Sequence, residues 1–180
     1  AWGCSSSNLL DSYARWQRSM NPVTGLAHDG VRAYLRLEGG KESLSLFASR
    51  NGLARYEDDG VFWQGLRSHT LSFFDGNTSL WRLSLPPLTD LSDELEAASI
   101  RYLLDWAGAQ YWLKSDNEVL LRSIAEKYGG SIEIYSNVDS NNLKNELSEL
   151  ASPLVLIHQR LKNAYDPNAV FNEGYMHESF

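Results

Sequence analysis

The chain has 180 residues, 43% of them hydrophobic, so it can bury a core as one large domain or as two smaller units. Its net charge of -7 is spread without a long block. This excludes nucleic acid and anionic membranes as main partners, because both require a concentrated basic surface.

Cysteine content and the N-terminus bear on location. The single cysteine, Cys4, excludes an intrachain disulfide and suits a reducing compartment. The chain has no apolar run of bilayer-spanning length, and its N-terminus lacks the pattern of a secretory signal. We therefore expect a cytoplasmic protein.

Residues 1–57 predict a first unit with the order βαββαβ. Asp29-Gly30 predicts a tight hairpin because it supplies positive φ angles, whereas Gly39-Gly40 and Asn51-Gly52 are turns between elements. In chain order we expect a strand at 1–5, a helix at 8–20, strands at 23–27 and 31–37, a helix at 41–50 and a strand at 53–56.

Residues 58–79 connect this unit to a second one at 80–137. The connection is expected to be a helix at 60–74. In the second unit we expect a strand at 80–85, a helix at 91–98, strands at 100–106 and 110–113, a helix from 117 to about 128 and a strand at 131–135. Matching elements of the two units lie roughly 78 positions apart, which indicates duplication.

Two βαββαβ units predict an α+β fold with two ferredoxin-like sheets, about eight antiparallel strands in all, and helices on one face. A polar linker is expected at 138–151, followed by a C-terminal helix and tail at 152–180. The fold alone does not give a function, since ferredoxin-like sheets also bind RNA, metals and small ligands.

The C-terminal segment is the most informative part of the sequence. Leu154, Ile157 and Leu161 keep helical spacing, and Asp166-Pro167 predicts that the helix ends near Tyr165. Val170 and Phe171, two apolar residues that favour burial, follow the proline, and Asn172 and Gly174 come after them. We therefore expect this tail to be held at a specific place.

This C-terminal pattern resembles that of the FAD-linked oxidases of the vanillyl-alcohol-oxidase type, and is most similar to the FAD-binding E subunits of bacterial glycolate oxidases. Those subunits share the sequence His-Gln-Arg-Leu-Lys at 158–162. Further similar segments lie at 62–67, 73–74, 80–87 and 106–113. The resemblance runs from about His28 to Met176 and so covers most of the chain.

The resemblance implies a cap domain that covers the flavin of a longer FAD-binding subunit. The domain that holds most of the FAD would precede Ala1, so this chain alone should not hold FAD firmly. The implied complex oxidises a small 2-hydroxy acid, glycolate to glyoxylate. Its other members would be a sister flavoprotein, which would carry the main hydride chemistry, and an iron-sulfur subunit. The complex would be cytoplasmic or peripheral to the inner membrane through its partners.

The resemblance places Asn172 and Gly174 near the isoalloxazine edge of FAD. An amide offers both a donor and an acceptor to the flavin ring; the alternative is a simple C-terminal turn. Glu173 replaces the proline of the family pattern, and Tyr175 replaces its basic residue.

Two basic residues of the C-terminal helix, Arg160 and Lys162, are further candidates. They could meet cofactor phosphate or an acidic partner, or they could lie on a solvated helix face.

Two aromatic groups also allow alternatives. Trp63, Phe73 and Phe74 could line a pocket above a flavin or form core, and the group Trp106, Tyr111 and Trp112 could also form a subunit interface.

Other chemistry finds no support in the sequence. The four histidines, at 28, 69, 158 and 177, lack metal-ligand spacing, so no metal site is expected. A nucleophile elbow and a glycine-rich phosphate loop are also absent from the sequence.

A different class of function stays open: a duplicated ferredoxin-like module that binds a small ligand or a partner without redox activity. RNA binding is disfavoured by the charge.

Overall fold

The computed structural model describes residues 3–18, 22–56, 60–136 and 152–171. In chain order its helices and strands are α1 (Ser6–Trp16), β1 (Val23–His28), β2 (Ala33–Leu37), α2 (Lys41–Arg50), α3 (Val61–Ser68), β3 (Leu80–Ser84), α4 (Ser92–Ala97), β4 (Arg101–Asp105), β5 (Gln110–Lys114), α5 (Glu118–Lys127), β6 (Ser131–Ser136) and α6 (Ser152–Tyr165). One antiparallel sheet contains the six strands in the order β2-β1-β4-β5-β3-β6. The α+β class is therefore confirmed.

The predicted hairpin at Asp29-Gly30 joins β1 and β2. The Asp29 carboxylate accepts hydrogen bonds from the backbone N–H groups of Val31 and Arg32, at 2.9 and 2.7 Å. This Asx-type turn occupies the first residues of the predicted strand, so β2 begins at Ala33 rather than at residue 31.

The second half of the sheet follows the predicted order βαββαβ. Within this half, β3 is the first strand in chain order, and it lies in the sheet between the third strand, β5, and the fourth strand, β6. Its second strand, β4, pairs with the other edge of β5. The α4 and α5 helices connect these strands, and α5 begins at the predicted cap, where the Asn117 side chain accepts from the Leu120 N–H at 3.2 Å.

The two faces of the sheet are covered differently. One face packs against α1, α4 and α5, whose buried contacts include Leu9, Leu95 and Leu121. Helix α3 packs on the opposite face with Phe62 and Leu66, which are four positions apart and so lie on one side of the helix. The one-face prediction concerned the helices of the two βαββαβ units, and the connecting helix α3 lies on the other face. We call the surface opposite α1, α4 and α5 the α3 face.

The prediction of eight strands in two ferredoxin-like units is not confirmed. Gly3–Ser5 form no strand, because the Ser5 side chain accepts from the Asn8 N–H at 3.2 Å and caps α1; residues 1 and 2 lie outside the described part. Residues 53–56 also form no strand and are not part of the six-stranded sheet.

The connecting helix is shorter than predicted. It ends at Ser68, because His69 has a φ of 55° in the left-handed region, and a turn then carries Phe73 and Phe74. Phe73 is buried in the core of the α3 face, and Trp63 and Phe74 pack against that core. This favours the core interpretation for the first aromatic group.

The C-terminal helix ends at Tyr165, as predicted. Its apolar stripe is not buried within the described residues: Leu154, Ile157 and Leu161 are about half exposed, and Val170 and Phe171 are largely exposed. The described residues therefore do not bury Val170 and Phe171, and the expectation that the tail is held at a specific place stays a prediction. The predicted linker, 138–151, lies outside the described residues.

Candidate functional site

A hydrogen-bond clamp around Asp166 fixes the start of the C-terminal tail. Its carboxylate accepts from the backbone N–H groups of Val170 and Phe171, both at 2.9 Å, and from Lys162 Nζ at 2.5 Å. These donors lower the pKa of Asp166 to about 2, the Lys162 bond contributing most. Lys162 Nζ also donates to the Phe171 carbonyl. The aspartate of the Asp-Pro pattern thus sets the direction in which the chain leaves α6.

The four predicted cofactor residues fall into two groups. Lys162 is half-buried and its ammonium contacts the clamp, whereas Arg160 is exposed on α6. Residues two apart on a helix do not face each other, so the structure does not bring these two cations together. Asn172 and Gly174 lie outside the described residues. A cofactor role for all four remains a prediction.

Three aromatic rings on the α3 face surround the imidazole of His69, and we call these four side chains the aromatic cage. The ring centroid of His69 lies 4.7 Å from Phe74, 4.6 Å from Trp112 and 4.7 Å from Tyr135, each in an edge-to-face arrangement. Trp112 is buried, whereas Tyr135 is half exposed and forms the open side of the cage. Burial lowers the pKa of His69 below its ordinary value of 6.5.

We expect the stability of the domain to decrease when the pH falls below 6.5, the ordinary pKa of histidine. Because the folded state holds His69 at a lower pKa, the unfolded chain binds the proton first and is favoured on acidification. Above 6.5 the contribution of His69 is fully present. The free energy of urea unfolding measured on both sides of this pH, in wild type and in His69→Phe, checks the expectation. An unchanged pH dependence in the variant would assign the effect to other groups.

An ion pair lies beside the cage. Arg82 on β3 and Glu133 on β6 are register partners, and Arg82 Nη2 contacts Glu133 Oε1. Trp112 on β5 is the register partner of Arg82 on its other side, so one row of side chains joins the ion pair to the cage. The Arg82 side chain is 42% exposed, but its Nε atom is buried and has no hydrogen-bond partner in the described part of the chain.

The neighbouring row on this face is polar. It consists of Ser131, Ser84, Gln110 and Asp105, which are register partners on β6, β3, β5 and β4. Gln110 and Asp105 are nearly buried. Burial raises the pKa of Asp105, and a hydrogen bond from the Trp106 N–H partly opposes this. Buried amide and carboxyl groups in one row give this part of the sheet hydrogen-bonding capacity beside the guanidinium.

A buried lysine holds the segment that carries Phe74. Lys114 Nζ donates to the Phe74 carbonyl at 3.0 Å and to the Thr78 carbonyl at 3.3 Å. Burial lowers the pKa of Lys114, and the nearby Arg101 charge lowers it further. Lys114 therefore positions one wall of the aromatic cage.

Neither a metal centre nor a membrane helix is found in the described ranges. No group of three or more His, Cys, Asp or Glu side chains there could hold a metal ion. No helix there is both long and apolar enough to cross a membrane.

Comparison with known proteins finds a clear relative. Glycolate oxidase subunit GlcE of Escherichia coli (strain K12) is 37% identical to this chain over 179 residues, which are 96% of the chain and 47% of the relative. This similarity supports a GlcE-like C-terminal domain of the FAD-linked oxidase type. The family resemblance is thereby confirmed. The chain spans less than half the length of the relative that it matches.

No family model matches the GlcE-like chain. No solved structure matches it. The assignment therefore depends on the similarity to GlcE.

The sequence offers Phe74 and Trp112 only in two separate aromatic groups, and it does not bring His69, Arg82 or Glu133 together with them. Arg82 and Glu133 are 51 positions apart by their numbers, and only the β3–β6 register brings them together. The sequence does carry one signal for this pair. Along β3 and β6 each charged residue stands between two apolar residues, and the apolar residues face the other side of the sheet. The sequence groups Trp112 with Trp106 and Tyr111, but in the structure Tyr111 is buried on the helix-covered face and Trp106 is 68% exposed.

Proposed function

We propose that this chain is the cap domain of the FAD-binding subunit of a glycolate oxidase-type complex, which oxidises a small 2-hydroxy acid, glycolate to glyoxylate. The similarity to a glycolate oxidase subunit over 96% of the chain carries this proposal. The match covers less than half of the relative, so the remainder of a longer subunit would hold most of the FAD. The partners would be a sister flavoprotein, where the main hydride chemistry takes place, and an iron-sulfur subunit.

The α3 face is the surface that we assign to the flavin and substrate. Two observations support a fit to FAD: the aromatic cage offers an apolar wall for a planar ring, and Arg82 Nε is a buried donor without a partner among the described residues. FAD, when bound, supplies the hydride acceptor for oxidation of a hydroxyl-bearing carbon. Gln110 would add an amide that can donate and accept.

The residues of this chain would bind and orient the acid. The exposed part of the Arg82 guanidinium would hold the carboxylate, while Glu133 fixes the side chain from β6. His69 stays neutral near pH 7 because its pKa is lowered, so its imidazole can accept a hydrogen bond or a proton. Asn172 and Gly174 would contact the flavin edge, and Arg160 and Lys162 would lie beside the cofactor. The Asp166 clamp supports this proposal because it fixes the backbone up to Phe171.

We expect Asn172→Ala to weaken flavin binding by roughly tenfold in the full-length subunit expressed with its partners, because one or two amide hydrogen bonds to the ring are lost. Asn163→Ala is the matched control, since Asn163 is exposed on α6 and is not among the residues that form the clamp. The measurement is flavin content per polypeptide and flavin affinity. Equal affinity in the two variants would make the tail a structural turn.

The alternative, a ligand-binding module without redox activity, is not favoured by the similarity to GlcE.

A further inference from the structure

The turn that joins β4 to β5 has a strained backbone. Trp106, Ala107 and Gly108 follow one another with φ angles of 49°, 55° and 80°, all in the left-handed region. Glycine enters this region readily, whereas a tryptophan or an alanine is strained there. Such a conformation persists only when the surrounding structure holds it. We call residues 106–108 the Trp106 turn.

Hydrogen bonds on two sides hold the Trp106 turn. The Asp105 carboxylate accepts from the Trp106 N–H at 2.8 Å. The Ala107 carbonyl accepts from the Leu88 N–H, also at 2.8 Å. Leu88 itself has a left-handed φ of 65°. The turn and the segment 85–89 therefore fix each other's strained backbone.

The Trp106 turn lies towards the side of the sheet that carries most of the helices. A Cβ atom at Gly108 would lie 2.8 Å from the Thr89 carbonyl oxygen and 3.3 Å from Leu10 Cδ1 of α1. Thr89 belongs to the segment that leads into α4. Both helices pack on the face opposite the α3 face. The turn therefore lies at the end of the sheet, away from the surface that we assign to the flavin and substrate.

The turn presents an apolar knob to solvent. Trp106 is 68% exposed and Leu88 is 36% exposed, and Pro86 and Pro87 beside Leu88 are exposed as well. An aromatic side chain on a backbone that is already fixed loses little conformational freedom when it binds. Tryptophan is also among the residue types that dominate the binding energy of protein interfaces. The strained turn therefore has the properties of an interface anchor.

Carboxylates lie beside this knob. Asp93 on α4 is exposed, and it follows Thr89 by four residues, so their Cα atoms are at most roughly 15 Å apart. A depression of about 440 Å³ contains this carboxylate. Its charged lining residues are three acids and one base, Asp90, Asp93, Glu94 and Lys127. The rim of the knob is therefore acidic, and a complementary surface carries basic residues.

We propose that the Trp106 turn anchors this domain to a partner subunit, whose surface has an apolar pocket for the indole and basic residues at the pocket rim. This rests on the proposed function, which places the domain in a multi-subunit complex. The remainder of a longer GlcE-like subunit would cover the α3 face, where the flavin is assigned, so the Trp106 turn is left for a second chain. A symmetric dimer through this turn would bring two acidic rims together, so a different subunit fits better than a second copy.

Trp106→Ala tests the anchor in the full-length subunit. We expect its affinity for the purified partner subunits to fall by about 30-fold or more, the size of effect of a residue that dominates an interface. Val119→Ala is the matched control, because Val119 is 81% exposed on α5, which packs on the same side of the sheet. The control should keep the wild-type affinity. Unchanged affinity in a folded Trp106→Ala variant, or equal losses in the two variants, would overturn the proposal.

Fluorescence quenching by acrylamide supplies a second measurement. The emission that is lost in Trp106→Phe identifies the signal of Trp106 among the six tryptophans. We expect this signal to be quenched readily in the isolated full-length subunit and to be shielded when the partner subunits are added. Shielding in the isolated subunit would overturn the proposal, because the same polypeptide would then cover the indole. Shielding that rises with the concentration of the subunit alone would also overturn it, since a second copy would be the occupant.

Asp93→Asn tests the acidic rim. We expect slower association with the partner subunits and a weaker dependence of the association rate on salt. An association rate equal to that of wild type at low salt would contradict the basic rim of the partner pocket.

Reduction of the flavin by glycolate is followed in the same samples. Loss of affinity in Trp106→Ala, in a complex that glycolate does not reduce, would support the anchor and contradict the proposed function. A complex that glycolate reduces, and that Trp106→Ala assembles as tightly as wild type, would support the proposed function and contradict the anchor.

Discussion

Trp112→Ala is expected to lower the free energy of unfolding by about 3–5 kcal/mol, the range for removal of a buried aromatic side chain. Trp112 is 5% exposed and contacts His69, Phe74 and Tyr135 on the α3 face. Its loss opens the aromatic cage to water, so the pKa of His69 should also move back towards 6.5. Urea unfolding and an NMR titration of the histidine measure the two effects.

Trp106→Ala is the control for this prediction. Trp106 lies in the same β4–β5 hairpin but is 68% exposed, so we expect a change of less than about 0.5 kcal/mol. Similar losses for the two tryptophans would contradict the described packing of the α3 face. A destabilised Trp112→Ala with an unchanged His69 pKa would mean that the cage does not set that pKa.

Arg82→Gln is expected to reduce kcat/KM for glycolate in the assembled complex by roughly 10–100-fold. This corresponds to about 1.5–3 kcal/mol, the range for a hydrogen bond to a charged group. The variant keeps a polar side chain of similar length, so Glu133 retains a hydrogen-bonding neighbour on β3. Steady-state kinetics with glycolate measures the effect.

Arg122→Gln controls for loss of positive charge. Arg122 pairs with Glu118 on α5, which packs on the opposite side of the sheet from the α3 face. We expect its kcat/KM to stay at the wild-type level. If Arg82→Gln also kept wild-type kinetics with normal folding and flavin content, the assignment of Arg82 to the substrate carboxylate would be wrong.

Local sequence signals predicted much of the fold. Helix α2 was predicted with its observed bounds because Gly39-Gly40 and Asn51-Gly52 punctuate it on both sides. The end of α6 was predicted because the residue before a proline leaves the helical region. These features depend on interactions within a few residues, which a sequence displays directly.

The errors arose where pairing between distant segments decides the structure. Residues 53–56 have a strand-like pattern but form no strand in the structure, because strand formation depends on register with a neighbouring strand that local sequence does not show. The candidate site was missed for a similar reason. His69, Arg82 and Glu133 meet only through strand register and through the left-handed turn after α3. The sequence also does not predict the hydrogen bonds of the Asp166 clamp, because it indicates only that Asp166 precedes Pro167.

Reduction of the flavin by glycolate tests the central claim most directly. The full-length subunit that contains this chain is purified with its partners, its flavin is quantified, and its absorbance is followed anaerobically as glycolate is added. The account predicts flavin bound to this subunit and bleaching of flavin absorbance in the complex. A folded full-length subunit that binds no flavin, in a complex that glycolate does not reduce, would contradict it.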